Sequence, residues 1–317
     1  MKSTFDQLLE SLLDDNEPLP DQQLQLLSDI DSTHLAQLQS IWPRLSEARK
    51  CELLIELGRQ SEDRFELLFE SVYRLAITDL DPSVREIAIR NLWECEDPSL
   101  ALPLLDALSS DHSQEVRSAA ATALGLFVWL GEVERIDQDL LQQIEEALLL
   151  ASKEDVSNEV RKLSIESLGF SSHHEVPDII QQAYDSDDEH FKQSALFAMG
   201  RSANKRWAPL VILEMNHASP QIRLTSTRAA GELELKEAVE PLIELLGDVD
   251  GEVRKAAIWS LSQIGGDDAT DALVSLVDVV DDEFTDLLED ALDYLAFIDG
   301  TQDFSLIDFD ESEDPTP

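Results

Sequence analysis

Basic residues are scarce in this chain: 23 Lys and Arg stand against 67 Asp and Glu, a formal net charge of −44 with a pI near 4.1. A surface this negative repels phosphate backbones and anionic bilayers, which are bound through clustered Lys and Arg. No nucleic acid and no membrane is expected as a ligand; protein partners remain, a basic protein or the chain's own acidic tail among them. Cysteine is nearly absent. Cys51 and Cys95, without C-x-x-C spacing, read as structural thiols rather than a disulfide framework, and a cytoplasmic location follows. No apolar run approaches the roughly 18 residues that cross a bilayer. Asp6 and Glu10 also interrupt the first apolar stretch, unlike a signal peptide. H-E-x-x-H, a Gly-rich phosphate loop and a recognisable Ser, Cys and His arrangement are all missing. Acids are so frequent that paired carboxylates carry no information about acid–base catalysis. No catalytic residue, cofactor or metal ligand is expected.

What is present is a repeat. The stretch from Asp248 to Gly265 has an acidic turn, Val253-Arg254, apolar residues three and four apart, and a closing Gly. Aligning the apolar residue before the basic one gives Val84, Val116, Val160, Phe191, Ile222, Val253 and Phe284, with steps of 32, 44, 31, 31, 31 and 31. Such a period marks a stacked array in which one unit cannot bury its own apolar face and the next covers it. Four residues further on stand Ala88, Ala120, Ser164, Ala195, Ser226, Ala257 and Leu288, small in all but the last. Each unit is expected to be a helical hairpin. In the unit starting near Glu62, Phe65, Leu68, Phe69, Val72, Leu75 and Ala76 are expected to form the first helix. Asp79 and Asp81 sit in the turn, and Pro82 opens the second helix.

The cations Arg85, Arg117, Arg161, Lys192, Arg223 and Arg254 recur at one place. Asp79, Asp111, Asp155 and Asp248 each precede their Arg by six residues, so a structural ladder of charge-assisted bonds within or between hairpins is expected, rather than a ligand site.

These residues resemble the HEAT repeat superfamily, in particular bacterial phycobilisome-lyase-type HEAT-like repeats, as in E-V-R-S-A-A-A-T-A-L-G at 115–125 and E-V-R-K-A-A-I-W-S-L at 252–261. The resemblance implies an all-α, right-handed α-solenoid of antiparallel helix hairpins, its second helices lining a concave wall. Three segments are expected: a helical cap with degenerate repeats at 1–61, the solenoid at 62–298, and an acidic disordered tail at 299–317. In the cap, Phe5, Leu8, Leu9, Leu12 and Leu13 share a helical face that covers the solenoid end or, alternatively, hooks a partner. The long step between Val116 and Val160 places about 12 extra residues near Leu126 to Asp139, or in lengthened flanking helices.

Functionally, the reading is a non-catalytic protein-interaction scaffold. The resemblance also offers a phycobilin-lyase-like chromophore carrier and, more weakly, a deoxyhypusine-hydroxylase-like di-iron enzyme. The latter's repeated His-Glu dipeptides are represented here by His174-Glu175 alone. Three local departures from the template are the candidate contact sites. In the insertion near Trp129, Phe127 and Trp129 are expected to pack in the core or, alternatively, to offer a contact. Lys192 to Arg228 holds six basic residues against the single acid Glu214, with Arg201, Lys205, Arg206, Trp207 and Arg228 as candidate partner-binding residues. The tail sets Phe304, Leu306, Ile307 and Phe309 among acids, the pattern of a short segment that orders on binding.

Overall fold

The computed structural model describes residues 3–277 and 282–305, with side chains for 3–277 and 284–298. Among the described residues every regular element is a helix, and the chain falls into two compact units, one ending at Val176 and the next beginning at Pro177.

The first unit contains α1 (Thr4–Leu12), α2 (Asp21–Leu24), α3 (Ser32–Ile41), α4 (Glu47–Asp63), α5 (Glu70–Ala76), α6 (Pro82–Arg90), α7 (Ala101–Ser110), α8 (Gln114–Glu132), α9 (Gln138–Glu154) and α10 (Asn158–Leu168). The second contains α11 (Val176–Tyr184), α12 (Glu189–Arg201), α13 (Ala208–Glu214), α14 (Pro220–Glu232), α15 (Val239–Leu245), α16 (Gly251–Ile264), α17 (Asp267–Val274) and α18 (Asp282–Ser305). Second helices pack on one another in chain order, α4 on α6 on α8 on α10 in the first unit and α12 on α14 on α16 on α18 in the second.

The repeat register accounts for this packing. All seven aligned apolar residues, Val84 through Phe284, are buried, and so are all seven residues four places on. At helical spacing the two positions share a face, so within each unit they form a seam between successive second helices. Leu288, the one large residue of the series, lies on α18, the last of the described helices. Glycine permits the closest approach: a methyl on Gly231 in α14 would lie 2.9 Å from the Ser260 Cα in α16.

Several of the turns joining first to second helix use two side chains for two tasks. The nearer one to the second helix caps it: Asp81 accepts from the Ser83 and Val84 amides, and Asp250 from those of Glu252 and Val253. The earlier one holds the turn itself, as Asp111 accepts from the Ser113 amide at 2.9 Å and Asp155 from that of Ser157 at 2.8 Å.

That earlier Asp also receives the guanidinium of the preceding hairpin. Arg85 donates through Nε and Nη2 to Asp111 at 2.7 and 2.8 Å, Arg117 to Asp155 at 2.7 and 2.9 Å, and Arg223 to Asp248 at 2.7 and 2.8 Å. The Nη1 group of each reaches its own turn instead, Arg85 to the Asp79 carbonyl, Arg117 to that of Asp111, and Arg223 to that of His217. The residue six places before each of these three arginines therefore meets it through its backbone carbonyl, while the carboxylate comes from the next hairpin. Arg161 donates to the Ser152 carbonyl. Arg254 bonds the Asp248 carbonyl and lies over the Phe284 ring. Where His217 replaces the Asp, the cation before it is Lys192, and Glu214 supplies the carboxylate at 3.2 Å. Tyr184 donates to the same oxygen at 2.6 Å.

The ladder starts earlier than the Val-Arg signature. Lys50 on α4 bonds Asp79 at 2.7 Å, joined by the Trp42 indole N–H. Its neighbour Arg49 donates to the carbonyls of Ser11, Leu12 and Asp14, closing the C-terminal end of α1, whose Phe5, Leu8, Leu9 and Leu12 are buried. The amphipathic face of α1 is thus covered by the chain itself. The extra residues between Val116 and Val160 lengthen the helices, 19 residues in α8 and 17 in α9. Phe127 there is buried and Trp129 is partly exposed. The last helix continues to Ser305, past residue 298 where the solenoid was expected to end.

Candidate functional site

The basic stretch of the second unit carries less free charge than its composition suggests. Lys192 is paired with Glu214 and Arg223 with Asp248. Arg201 lies over the Phe197 ring at 4.1 Å, and the Glu232 carboxylate is tucked over the Gly200 Cα. Although the Glu232 side chain is exposed as a whole, burial of that carboxylate raises its pKa, against the smaller lowering effect of Arg201 and Arg228. Lys205, Arg206 and Arg228 remain exposed, with the Lys205 ammonium 3.4 Å from the Glu234 carbonyl. Trp207 corrects the sequence reading. It is 2% exposed, wedged at the start of α13 with the Arg206 guanidinium 4.4 Å from its ring centroid, so it supports the turn and offers no contact surface. Of the tail residues, Phe304 lies in α18 by its backbone alone, while Leu306, Ile307 and Phe309 fall outside the described residues.

A second feature, in the first unit, was not anticipated. The expected helix from Phe65 begins only at Glu70, because Arg64 leaves the helical conformation at φ −145°, ψ 88° and ends α4. Residues 67–69 then run without helical structure, and the Leu68 amide and carbonyl bond Ser28 Oγ and the Asp29 amide. Alternate side chains of such a segment face opposite ways. Leu67 and Phe69 are accordingly buried, whereas Leu68 is 55% exposed and Phe65 92%. Across from them the turn after α6 buries Leu92 and leaves Trp93 64% exposed. Loop and turn frame a cleft of about 400 Å³ with Tyr73 and Asn91 in its wall. The Asn91 amide donates to the Leu54 carbonyl at 2.8 Å, and an added methyl on Gly58 would strike it, so this wall is fixed.

The histidines and cysteines that could carry chemistry are held in local contacts. Cys51 and Cys95 are free thiols whose pKa burial raises. At the single His-Glu dipeptide, Glu175 is held by Lys153 at 2.6 Å and its amide donates to His173 Nδ1. Among the described residues no three His, Cys, Asp or Glu side chains are grouped to hold a metal, so the residues present do not fit an iron pair. No helix among them is long and apolar enough to cross a membrane.

The arrangement defines an α-solenoid of stacked helical hairpins, with no strand among the described residues. The family model for HEAT repeats matches residues 70–148 and 208–293, a little over half of the chain, and the protein belongs to that family. Its sequence is 24% identical over 233 residues to deoxyhypusine hydroxylase from Arabidopsis thaliana, covering 63% of this chain and 73% of that protein. Among solved structures, yeast importin-β (Kap95p) aligns with 92% of this chain and 46% of its own, at 12% identity and a TM-score of 0.52. The CpcE–CpcF complex of phycocyanin lyase from Nostoc sp. PCC7120 aligns at 18% identity and a TM-score of 0.48, covering 72% of this chain and 95% of that one. These structural likenesses concern the fold.

Proposed function

We propose that the chain is a non-catalytic protein-interaction scaffold. The observation that carries this reading is how side chains divide between fold and surface. The recurring cations and turn acids hold hairpins together, while large apolar side chains stay in solvent: Phe65, Leu80, Trp93, Val156 and Val249 are each at least 64% exposed. Leu80, Val156 and Val249 occupy one equivalent place, directly after a ladder Asp, so apolar knobs recur beside acids along the turns. Exposed apolar groups at a repeated position suit a surface that another protein covers. Lys205, Arg206 and Arg228, with Arg201 beside them, form a second proposed contact for an acidic segment. The tail around Phe304, Leu306, Ile307 and Phe309 is such a segment, on this molecule or its neighbour. Affinity capture from native lysate tests the reading. It predicts a reproducible partner recovered with the wild-type chain, and loss of an acidic partner on joint Arg201→Glu, Lys205→Glu and Arg206→Glu substitution. Recovery of nothing above a bead-only control overturns it.

A further inference from the structure

The cleft between the 64–69 loop and the 91–95 turn has the composition of a receptor rather than of unfinished core. Phe65, Leu68 and Trp93 line one cavity of about 400 Å³, within the size range of ligand clefts, and each is more than half exposed. The charged side chains of that cavity are of one sign: Asp29, Glu70 and Glu94 line it, with no Lys, Arg or His. Arg74 pairs with Glu70 at 2.6 Å, whereas Asp29 and Glu94 make no ion pair among the described residues. Bases near the rim are already committed, Arg64 to Glu66 at 2.9 Å and Arg135 to Glu96 at 2.5 Å. An aromatic surface next to uncompensated carboxylates is complementary to an apolar anchor flanked by cations.

A further observation comes from the wall. Tyr73 is 4% exposed, and its hydroxyl makes no hydrogen bond of normal length and geometry, only a looser approach to Ser61, whose own hydroxyl donates to the Leu57 carbonyl at 3.1 Å. A buried hydroxyl served no better than this is unusual in a finished core. Here it borders a cavity that the chain does not fill.

We infer that this cleft docks a basic peptide segment of a partner protein, with one aromatic or long aliphatic side chain packed on Phe65, Leu68 and Trp93 and flanking Lys or Arg facing Asp29 and Glu94. The inference rests on the scaffold reading and gives it a location and a partner chemistry. The chain's own tail is a poor occupant, since residues 301–317 hold six acids and no base. A second copy, at a net charge of −44, is repelled likewise.

The test uses a phage-displayed library of random peptides selected on the full-length chain, with affinities of the enriched peptides measured by fluorescence anisotropy. Enriched sequences should combine Lys or Arg with Trp, Phe or Leu. Trp93→Ala should weaken them about 30-fold, as for a hot-spot residue worth about 2 kcal/mol. Joint Asp29→Lys and Glu94→Lys substitution should abolish binding. All these side chains are on the surface, and unchanged far-UV circular dichroism and Tm confirm that the variants fold. Three results overturn the inference: enrichment of acidic peptides, enriched peptides indifferent to Trp93→Ala, or no enrichment at all. Binding that emerges only after deletion of residues 301–317 makes the tail the occupant and also overturns it. None of these decides the scaffold reading, which stands or falls on the lysate capture.

Discussion

Replacing Asp155 by Ala removes one rung of the ladder, and the structure sets the size of the effect. Asp155 accepts two bonds from Arg117 and one from the Ser157 amide. Arg117 is 9% exposed and the Asp155 side chain 11%, so solvent screens the pair poorly. Losing a turn acceptor costs about 1 kcal/mol. Stranding a buried guanidinium costs about 3–5 kcal/mol when nothing else binds it. Arg117 keeps its bond to the Asp111 carbonyl at 3.0 Å, which reduces that penalty. The total is about 3 kcal/mol, which lowers Tm by about 6–12 °C in a unit of this size.

Urea and thermal unfolding measure this, with hydrogen exchange across α8 and α10 locating it. An internal control is Asp63→Ala, which breaks the exposed pair with Arg59 and should cost no more than about 0.5 kcal/mol. Pairing Asp155→Ala with Arg117→Leu should give back about 2 kcal/mol, because the stranded charge goes too. If Asp155→Ala costs no more than Asp63→Ala, the ladder does not stabilise the stack and the reasoning fails. The pH dependence has a definite sign. Burial would raise the Asp155 pKa, but the Arg117 and Ser157 bonds outweigh it and hold the group below the ordinary 3.8; Asp79, Asp111 and Asp248 are lowered likewise. Their stabilisation is therefore complete above pH 3.8 and is lost as pH falls through the lower folded values. Acid titration of Asp155→Asn should show a correspondingly smaller loss.

Other expectations follow from single contacts. Tyr73→Phe removes a buried hydroxyl that makes no hydrogen bond of normal geometry and should raise stability by about 1 kcal/mol in a thermal melt; a fall of that size would mean that Ser61, a bound water or a ligand serves the group. Gly231→Ala places a methyl 2.8 Å from the Trp259 ring and should cost about 1–3 kcal/mol by urea unfolding. Gly247→Ala, whose nearest contact would be 3.6 Å away, should cost far less. Glu214→Gln weakens the acceptor shared by Lys192 and Tyr184 and should destabilise the second unit by about 1–3 kcal/mol, measured the same way.

Period and spacing made the hairpins legible, because a seam residue must be buried wherever the unit recurs. Val84 to Phe284 and the small residues four places on were readable for that reason. Charge was not readable in the same way. Counting along Lys192 to Arg228 finds six bases and one acid, yet Asp248 and Glu232 come from beyond that window and fold back onto Arg223, Arg201 and Arg228. In a repeat protein the electrostatic neighbour is about one period away, so a contiguous window overstates free charge. Phe65 was misplaced because its spacing to Phe69 and Val72 suits a helix. Only the backbone departure at Arg64 shows that the helix has not yet begun. Lys50 escaped notice because Lys follows Arg49 rather than Val, although its task at Asp79 is that of the later arginines.

The bidentate bridges point one way along the chain. Each guanidinium precedes the carboxylate it will meet, Arg85 by 26 residues and Arg223 by 25. During synthesis at about 5–20 residues per second, a hairpin would thus emerge with its cation in place about 1–5 s before the matching acid arrives. Its Nη1 group can hold its own turn carbonyl meanwhile, as Arg85 does with Asp79. At these hairpins the growing end then presents a prepared positive socket, and the incoming Asp turn has one nearby place to settle. Register can in this way be fixed one hairpin at a time, before later copies of the same sequence pattern exist to compete for it.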